Sequence, residues 1–210
     1  MTRVPRGEAR QRLLTAAMDQ IRQKGFSATS VDDLCAAVGV TKGAFFHHFA
    51  SKEALGIAVV EHWTETTAAM FAAHDYNAKP DPLDRVFAYL DLRRSLLAMP
   101  LPEFSCVAGT TVQETYQTYP AIRAAAEASI RSGMAHVQTH LAAALAAHPV
   151  PGVTALSLAI AFQVAVQGGI VVAKALDDPE AARAPFDHLE RYLRFLFNRP
   201  ISLLQDAKPI

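Results

Sequence analysis

The 210-residue chain lacks several features that would point to particular classes of protein. It has only two cysteines, Cys35 and Cys106, which are too few for a disulfide framework and favour a reducing compartment. Basic and acidic residues are balanced at 20 each, so net charge indicates no polyanionic partner. The charged N-terminus has no apolar segment typical of a signal peptide, and we expect a cytoplasmic protein.

Catalytic and metal-binding motifs are also missing. We find no nucleophile with a base and an orienting group at helical spacing, and no glycine-rich phosphate loop. His136 and His140 are four residues apart, but a pair without a third ligand is a weak metal site. The adjacent His47 and His48 cannot face one ion from a helix. We therefore expect no enzyme, no cofactor and no metal.

One long apolar stretch, 153–173, raises the question of a membrane span. Gln163 and Gln167 interrupt it, and no basic flank or aromatic belt marks its ends. We expect a buried core helix rather than a membrane anchor.

Strand patterns are nearly absent, whereas apolar residues recur at three- and four-residue spacing, which predicts an all-α fold. Glycines end two of the early helices (Gly25 and Gly39), and hydroxyl side chains are placed to cap the next ones (Ser30, Thr41 and Ser51). The predicted helices lie at 10–24, 31–38, 41–49, 52–73, 82–99, 107–116, 121–148, 153–176 and 185–197. Three short helices in front thus precede longer ones, and the tail after Pro200 is expected to fray.

The most informative segment is 31–49, where a helix, a tight turn at Gly39-Val40 and a short second helix follow one another. This spacing is typical of a helix-turn-helix. The second helix opens with Thr41-Lys42-Gly43-Ala44, whose small, polar or basic side chains suit the major groove of DNA. Residues 1–55 also carry eight basic and five acidic residues, a net charge of +3.

Taken together, the runs 25–30, 39–49 and 51–55 resemble the TetR family of repressors in both identity and spacing. The resemblance covers about residues 7–55. It implies an all-α homodimer that binds double-stranded operator DNA, with its last two helices pairing with those of a second copy. It also implies a C-terminal pocket whose small-molecule ligand weakens operator binding. The predicted division is a DNA-binding domain at 1–55, a ligand-binding and dimerisation domain at 56–200, and a tail at 201–210.

The resemblance assigns DNA contacts residue by residue. The expected DNA-binding residues are Thr29, Ser30, Thr41, Lys42, Gly43, Ala44, Phe46, His47 and Lys52. Phe46 departs from the family, which usually has Tyr there, so a backbone contact is lost or passes to His47. Phe45 and Phe49 are expected in the core. Arg3 and Arg6 suggest either a minor-groove arm or a solvated terminus.

The sensing half leaves two mechanisms open. Cys106 opens a predicted helix, where the positive end of the helix dipole favours a thiolate. A subset of the family has Cys at this helix entry, and some of its members respond to electrophiles or oxidants. Lys174, the only basic residue of its predicted helix, is expected to assist Cys106. The plainer interpretation of Cys106 is a small side chain that merely packs.

The other mechanism is a reversible pocket for a largely apolar or aromatic ligand. The candidate lining residues, Cys106 and Lys174 apart, are Trp63, Phe71, Leu97, Thr110, Gln113, Glu114, Met134, Gln163 and Gln167. Gln163 and Gln167 are favoured because buried amides need partners, although they also suit a dimer interface. Gly168-Gly169 indicates close helix packing or space for a ligand.

The last predicted helix carries an apolar stripe along one side: Leu189, Tyr192, Leu193, Leu196 and Phe197. We interpret this stripe as part of a dimer interface. Two alternatives to a DNA-binding regulator remain in view, an enzyme and a helical adaptor that binds only protein. An adaptor would leave Lys42 and Lys52, at the starts of capped helices, without a role.

Overall fold

The computed structural model describes residues 6–200, and side chains from residue 8 onward. Within these residues there are helices and no strands, which confirms the all-α prediction. The α-helices are α1 Arg6–Lys24, α2 Val31–Val38, α3 Lys42–His48, α4 Lys52–Ala72, α5 Pro82–Ser95, α6 Leu101–Phe104, α7 Val107–Thr115, α8 Pro120–Ala147, α9 Ala155–Leu176 and α10 Arg183–Leu196. The predicted arm residue Arg3 and the tail 201–210 lie outside the described residues, as does the side chain of Arg6.

Most helix limits fall close to their predicted positions, and the differences are short. The prediction missed α6, which forms between Pro100 and Ser105 where a break was expected. Short 3-10 helices also follow α4, extend α5 and precede α10, at Asp75–Ala78, Leu96–Ala98 and Pro179–Ala182.

The chain divides into two compact units. The first comprises the described residues up to Asn77 together with Met99–Ala135, and the second comprises Ala78–Ala98 together with the described residues from His136 onward. Helix α4 runs without a break through the predicted domain boundary at residue 55, so that boundary stays a prediction.

In the first unit, α1 packs against α2, α3, α4, α6 and α7. Its core includes Leu13, Leu34, Phe45 and Val59, each fully buried. The three predicted caps are confirmed: Ser30, Thr41 and Ser51 each accept a hydrogen bond from a backbone amide three residues on. Such caps stabilise a helix by about 1 kcal/mol each. They fix where α2, α3 and α4 begin.

In the second unit, α9 packs against the 3-10 helix Pro179–Ala182 and against α10, and α10 packs against α5. Gly169 allows the first of these contacts, because a Cβ there would lie 3.2 Å from the Ala182 carbonyl oxygen. The close helix packing predicted for this pair of glycines is therefore present at Gly169. Gly168 instead faces open space.

Helix α9 is not the buried core helix that its sequence predicts. One face is buried through Leu158, Phe162, Val166 and Ile170, but the opposite face is exposed. Only 33% of its most apolar stretch is buried, and by length and composition α9 is the one helix of the described chain that could cross a membrane. The prediction failed because the periodicity of an all-apolar helix does not mark which face meets the core.

The predicted stripe on α10 is also corrected. Leu189, Leu193 and Phe197 are buried within the second unit, so they serve the protomer's own core. Tyr192, a member of the predicted stripe, is 44% exposed, and Phe195, which lies outside the stripe, is 76% exposed. Of the two exposed aromatic residues, only Tyr192 was therefore part of the predicted interface.

Candidate nucleic-acid interface and sensor region

Helix α3 presents four of the predicted DNA-binding residues on its exposed side. Lys42, Gly43 and His47 are exposed, Phe46 is 53% exposed, and Ala44 is half-buried. Phe45 and Phe49 are buried, as expected, and their ring centroids lie 5.7 Å apart. The two turns of α3 are therefore buried in the core on one side. On the other side they present a small surface of basic, apolar and glycine residues.

The turn before α3 sets the angle of that surface. Gly39 adopts a left-handed conformation with φ at 70°, and its amide donates to the Ala36 carbonyl at 3.3 Å. Thr41 then caps α3 by accepting from the Ala44 amide at 3.2 Å. Because glycine adopts positive φ without a Cβ penalty, the turn can be this tight. The predicted helix-turn-helix is present in the structure.

Lys42 forms an ion pair across the motif. Its Nζ atom lies 2.9 Å from an Asp32 carboxylate oxygen on α2. The hydrogen bond to Asp32 and its negative charge raise the pKa of Lys42, so the ammonium stays charged. Both side chains are largely exposed, so the pair is easily exchanged for another anion.

Three other predicted DNA contacts have structural partners. Thr29 is 2% exposed and donates its hydroxyl to the Gly25 carbonyl at 2.8 Å, which corrects its predicted role as a phosphate contact. Ser30 and Thr41 remain exposed, and each uses its oxygen as an acceptor in a cap. A hydroxyl that accepts can still donate, so both stay available to a phosphate.

Lys52 is half-buried at the start of α4. Its Nζ atom donates to the Ser27 carbonyl at 3.1 Å and lies 4.6 Å from the centroid of the Phe26 ring. Burial lowers the pKa of Lys52, and Glu114 partly opposes that effect. In the free protein the Lys52 ammonium group therefore interacts with the turn between α1 and α2.

The predicted ligand-binding residues are divided between the two units. The first unit contains Trp63, Phe71, Cys106, Thr110, Gln113, Glu114 and Met134, and the second contains Leu97, Gln163, Gln167 and Lys174. Phe71 and Leu97 are buried, whereas Gln163 and Gln167 are half-buried along α9. The two glutamines are thus less enclosed than the sequence predicts.

Gln113 and Glu114 are corrected as pocket residues. Both are exposed. Gln113 donates to the Gly109 carbonyl of its own helix at 3.0 Å. The Glu114 carboxylate accepts from the backbone amides of Phe26 and Ser27, at 3.2 and 2.7 Å. Glu114 therefore holds a backbone turn of the first unit.

Cys106 is half-buried and caps α7. Its Sγ atom accepts a hydrogen bond from the Gly109 amide at 3.3 Å. The predicted position of the thiol at a helix start is confirmed. Lys174 lies on α9 in the second unit, and its predicted assistance to Cys106 stays a prediction.

The second unit also contains an aromatic cluster that the sequence analysis missed. The Tyr89 ring lies 5.6 Å from His136 and 5.5 Å from Phe162, and His136 lies 5.2 Å from His140. Burial lowers the pKa of both histidines, which favours their neutral forms. The four-residue spacing of the histidines is visible in the sequence, where it suggests only a weak metal pair. No group of three or more potential ligands for a metal occurs in the described chain.

A helix-turn-helix of capped short helices, followed by a second all-helical unit, defines a class of two-part DNA-binding regulators. Comparison with known families agrees with this class. Residues 13–59 match the model of the bacterial regulatory proteins of the tetR family, and residues 82–189, about half of the chain, match the tetracyclin repressor-like C-terminal domain. The chain belongs to the TetR family.

Individual relatives are distant. The transcriptional regulator AcuR of Cereibacter sphaeroides is 27% identical over 106 residues, which are 50% of this chain and 48% of AcuR. The HTH-type transcriptional repressor NemR of Escherichia coli is 29% identical over 82 residues, 39% of this chain and 41% of NemR. The chain thus spans less than half the length of either relative.

Solved structures resemble the fold over most of its length. A TetR-family regulator from Agrobacterium tumefaciens has a TM-score of 0.79 at 24% identity, covering 89% of this chain and 98% of its own. The reduced form of E. coli NemR has a TM-score of 0.75 at 21% identity, covering 87% of this chain and 95% of its own. At these identities the likeness concerns the fold alone.

Proposed function

We propose that the protein is a cytoplasmic transcriptional repressor that binds a near-palindromic operator as a homodimer and is released by a small apolar or aromatic ligand. The observation that carries the proposal is the exposed side of α3. A rigid, capped helix offers Lys42, Gly43, Phe46 and His47 directly after the left-handed turn at Gly39. This is the arrangement of a recognition helix that enters the major groove by its N-terminal residues.

Each of these residues has a chemical role in the proposal. Lys42 exchanges Asp32 for a phosphate or a guanine edge. Gly43 has no side chain, so the backbone of α3 approaches the bases closely. Phe46 has no hydroxyl to donate. Its apolar ring instead suits contact with the methyl group of a thymine. His47 lies beside it and donates to the sugar-phosphate backbone.

The exposed apolar face of α9 supports the homodimer. Leu156, Ile160, Val164 and Val172 lie along this face, and Gly168 interrupts it with open space around its missing Cβ. Contiguous apolar surface of this kind marks an interface in a soluble protein. A two-fold pairing of such faces would place two recognition helices on two half-sites of one operator.

The aromatic cluster of the second unit supports an apolar or aromatic effector. Tyr89 and Phe162 are buried, and burial lowers the pKa of His136 and His140, which favours uncharged imidazole rings beside them. Such a mixture of rings and a few neutral polar groups is typical of small-molecule sites.

A second candidate function is release by an electrophile at Cys106. It is favoured by the position of the half-buried thiol at the start of α7 and by the fold shared with NemR, whose structure is described as a reduced form. In that step the Cys106 thiol would lose its proton to solvent and its sulfur would bond to the β-carbon of an unsaturated carbonyl compound. The resulting enolate would then take a proton from water.

Electrophoretic mobility shifts with fragments of the genome that encodes the protein test both candidates. We expect one or a few fragments to shift at salt concentrations that abolish binding to bulk DNA. Uniform, salt-sensitive binding to all fragments would indicate a DNA-binding protein without sequence preference. No binding to any fragment would favour the alternative of a helical adaptor that binds only protein. N-ethylmaleimide then separates the two modes of release. If Cys106→Ser is released from DNA as readily as the wild type and Cys35→Ser, the electrophile candidate fails.

A further inference from the structure

The turn that joins α1 to α2 is held by a side chain from a distant part of the first unit. Glu114 lies near the end of α7, 87 residues from Ser27 in the sequence. Its two carboxylate oxygens accept separate hydrogen bonds from consecutive amides, those of Phe26 at 3.2 Å and Ser27 at 2.7 Å. Carboxylates bind such pairs of amides more strongly than neutral acceptors do, because the bonds are charge-assisted.

A second contact attaches the same segment to α1. The Nη1 atom of Arg22 donates to the carbonyl oxygen of Glu103, at the end of α6, at 2.7 Å. The segment from Glu103 to Glu114 is therefore fixed to α1 at one end and to the following turn at the other. Cys106 and nearly all of α7 lie between these two points.

The turn is also the starting point of the helix-turn-helix. The buried Thr29 hydroxyl closes it by donating to the Gly25 carbonyl, and Lys52 donates to the Ser27 carbonyl from the start of α4. Ser30 follows at once as the cap of α2. The conformation of residues 25–30 thus determines where α2 begins, and α2 carries the turn and α3 after it.

Glycine at position 25 is required by the Glu114 contact itself. Gly25 has a φ of 89°, and a Cβ there would lie 2.1 Å from Glu114 Oε1. The absence of a side chain is what lets the carboxylate reach the two amides. The contact therefore depends on two positions far apart in sequence.

We propose that Glu114 is a positioning residue for operator binding, which holds the α1–α2 turn in the conformation that presents α3 to DNA. Displacement of α7 would withdraw the carboxylate from the turn and lower operator affinity. This inference rests on the proposed function, because it assumes that α3 reads an operator. It adds the residue through which the α6–α7 segment acts on that surface.

Electrostatic repulsion and positioning of the turn predict opposite changes in operator affinity when the charge of Glu114 is removed. A negative carboxylate on a DNA-binding unit repels phosphates, so its neutralisation alone strengthens DNA binding. If Glu114 positions the turn, its neutralisation weakens binding to the operator despite that gain. The sign of the change therefore distinguishes the two.

The experiment compares Glu114→Gln with Glu103→Gln in the full-length protein. Both variants remove one exposed negative charge, but Glu103 contributes to the contacts described only its backbone carbonyl. Binding is measured by fluorescence anisotropy on a selected operator and on an unrelated duplex at the same salt concentration. We expect Glu114→Gln to bind the operator about tenfold more weakly, with binding to the unrelated duplex unchanged or stronger. Glu103→Gln is expected to lose nothing on either duplex.

Glu114→Asp provides a second variant that keeps the charge and shortens the side chain by one methylene. It is expected to weaken operator binding as well, because the carboxylate no longer spans both amides. Hydrogen exchange of the Phe26 and Ser27 amides should accelerate in both Glu114 variants, while the unfolding midpoint stays within a few degrees of the wild type. Operator binding by Glu114→Gln that is as tight as that of Glu103→Gln, with unchanged exchange, would overturn the inference. A wild-type protein without operator preference would instead refute the proposed function, and the exchange measurement would still decide whether Glu114 holds the turn.

Discussion

The Nζ atom of Lys42, the first residue of α3, lies 2.9 Å from a carboxylate oxygen of Asp32 on α2. The side chains are 60% and 69% exposed, so water screens the pair and little free energy opposes its separation. In the free protein Asp32 neutralises the cation that α3 presents. In a DNA complex a phosphate would compete for the same ammonium group.

Replacement of Lys42 is expected to change the salt dependence of DNA binding. Lys42→Met should reduce the slope of log affinity against log salt by about 0.9, the value for one phosphate contact. Asp32→Asn should strengthen binding to unrelated DNA, because it frees the ammonium and removes a repelling charge. Titrations at several salt concentrations measure both effects. Lys79→Met, which removes an exposed charge from the second unit, serves as the control, and an equal change of slope in that variant would contradict the role of Lys42.

Gly25 and Gly39 form a matched pair for testing how the α1–α2 turn is held. Both have positive φ, 89° and 70°, but a Cβ at Gly39 meets nothing within 4 Å. Gly39→Ala should therefore lower the free energy of unfolding by about 1 kcal/mol, from backbone strain alone. Gly25→Ala should lower it further, because Glu114 must also move.

Chemical denaturation measures this difference between the two glycine variants. The additional decrease in the free energy of unfolding caused by Gly25→Ala should disappear when both glycine substitutions are made in a Glu114→Ala background. The carboxylate that a Cβ at position 25 would meet is then absent. A difference of the same size in both backgrounds would show that Glu114 does not crowd position 25.

Glu190 on α10 provides a pH dependence of stability. Burial raises the pKa of Glu190, but hydrogen bonds and charge from Arg194 and Arg94 outweigh it and leave the pKa below its usual value. A carboxyl with a lowered folded pKa stabilises the protein above its unfolded pKa of about 4.3, and this contribution is lost as pH falls through the folded value. The free energy of unfolding should therefore decline below about pH 4.5.

Glu190→Gln should flatten that decline and lower stability at neutral pH by about 1–3 kcal/mol, because Arg194 loses its carboxylate partner while Arg94 keeps those of Asp91 and Asp187. Glu180→Gln is the control, since Glu180 forms an exposed ion pair with Arg183 at 2.8 Å. Urea denaturation between pH 3 and pH 7 measures both variants. An unchanged pH profile in Glu190→Gln would show that the network does not contribute as described.

Val164, 64% exposed in the middle of α9, tests the homodimer. A charge buried there without a partner is unfavourable by several kcal/mol, so Val164→Glu should convert the protein to a monomer. Sedimentation velocity measures the change. Ala142→Glu places the same charge on an exposed position of α8 and should leave the oligomeric state unchanged. A dimeric Val164→Glu protein would exclude this face of α9 as the interface.

The parts of the structure that the sequence predicts well are those set by local chemistry. Ser30, Thr41 and Ser51 each cap the helix that begins at the next residue by accepting from an amide three residues ahead, and Gly39 turns the chain within one residue. These interactions are contained in short windows, so residue identity and spacing suffice to predict them.

Contacts between residues distant in sequence are not visible in the local pattern. Nothing local indicates that Glu114 reaches the Ser27 amide or that Lys52 reaches the Ser27 carbonyl. The predicted ligand contact of Glu114 is wrong for this reason, whereas the predicted phosphate contact of Lys52 stays a prediction. The match to the family motif predicts a DNA contact for Thr29, but its hydroxyl donates to the Gly25 carbonyl inside the turn. On α9 the apolar residues outnumber those needed for one face, so periodicity alone does not separate the core from the exposed surface. On α10 the periodicity locates an apolar face, but it does not show whether the protomer's own core or a second copy covers that face.

Selection of bound duplexes from random DNA determines whether α3 reads an operator. We expect a single enriched sequence with two-fold symmetry, whose half-sites are separated by about one helical turn or a multiple of it. We also expect Lys42→Met and Phe46→Ala to weaken or alter the preference within each half-site. A library that shows no enriched sequence, or an enriched sequence that is unaffected by both substitutions on α3, would contradict the proposed function.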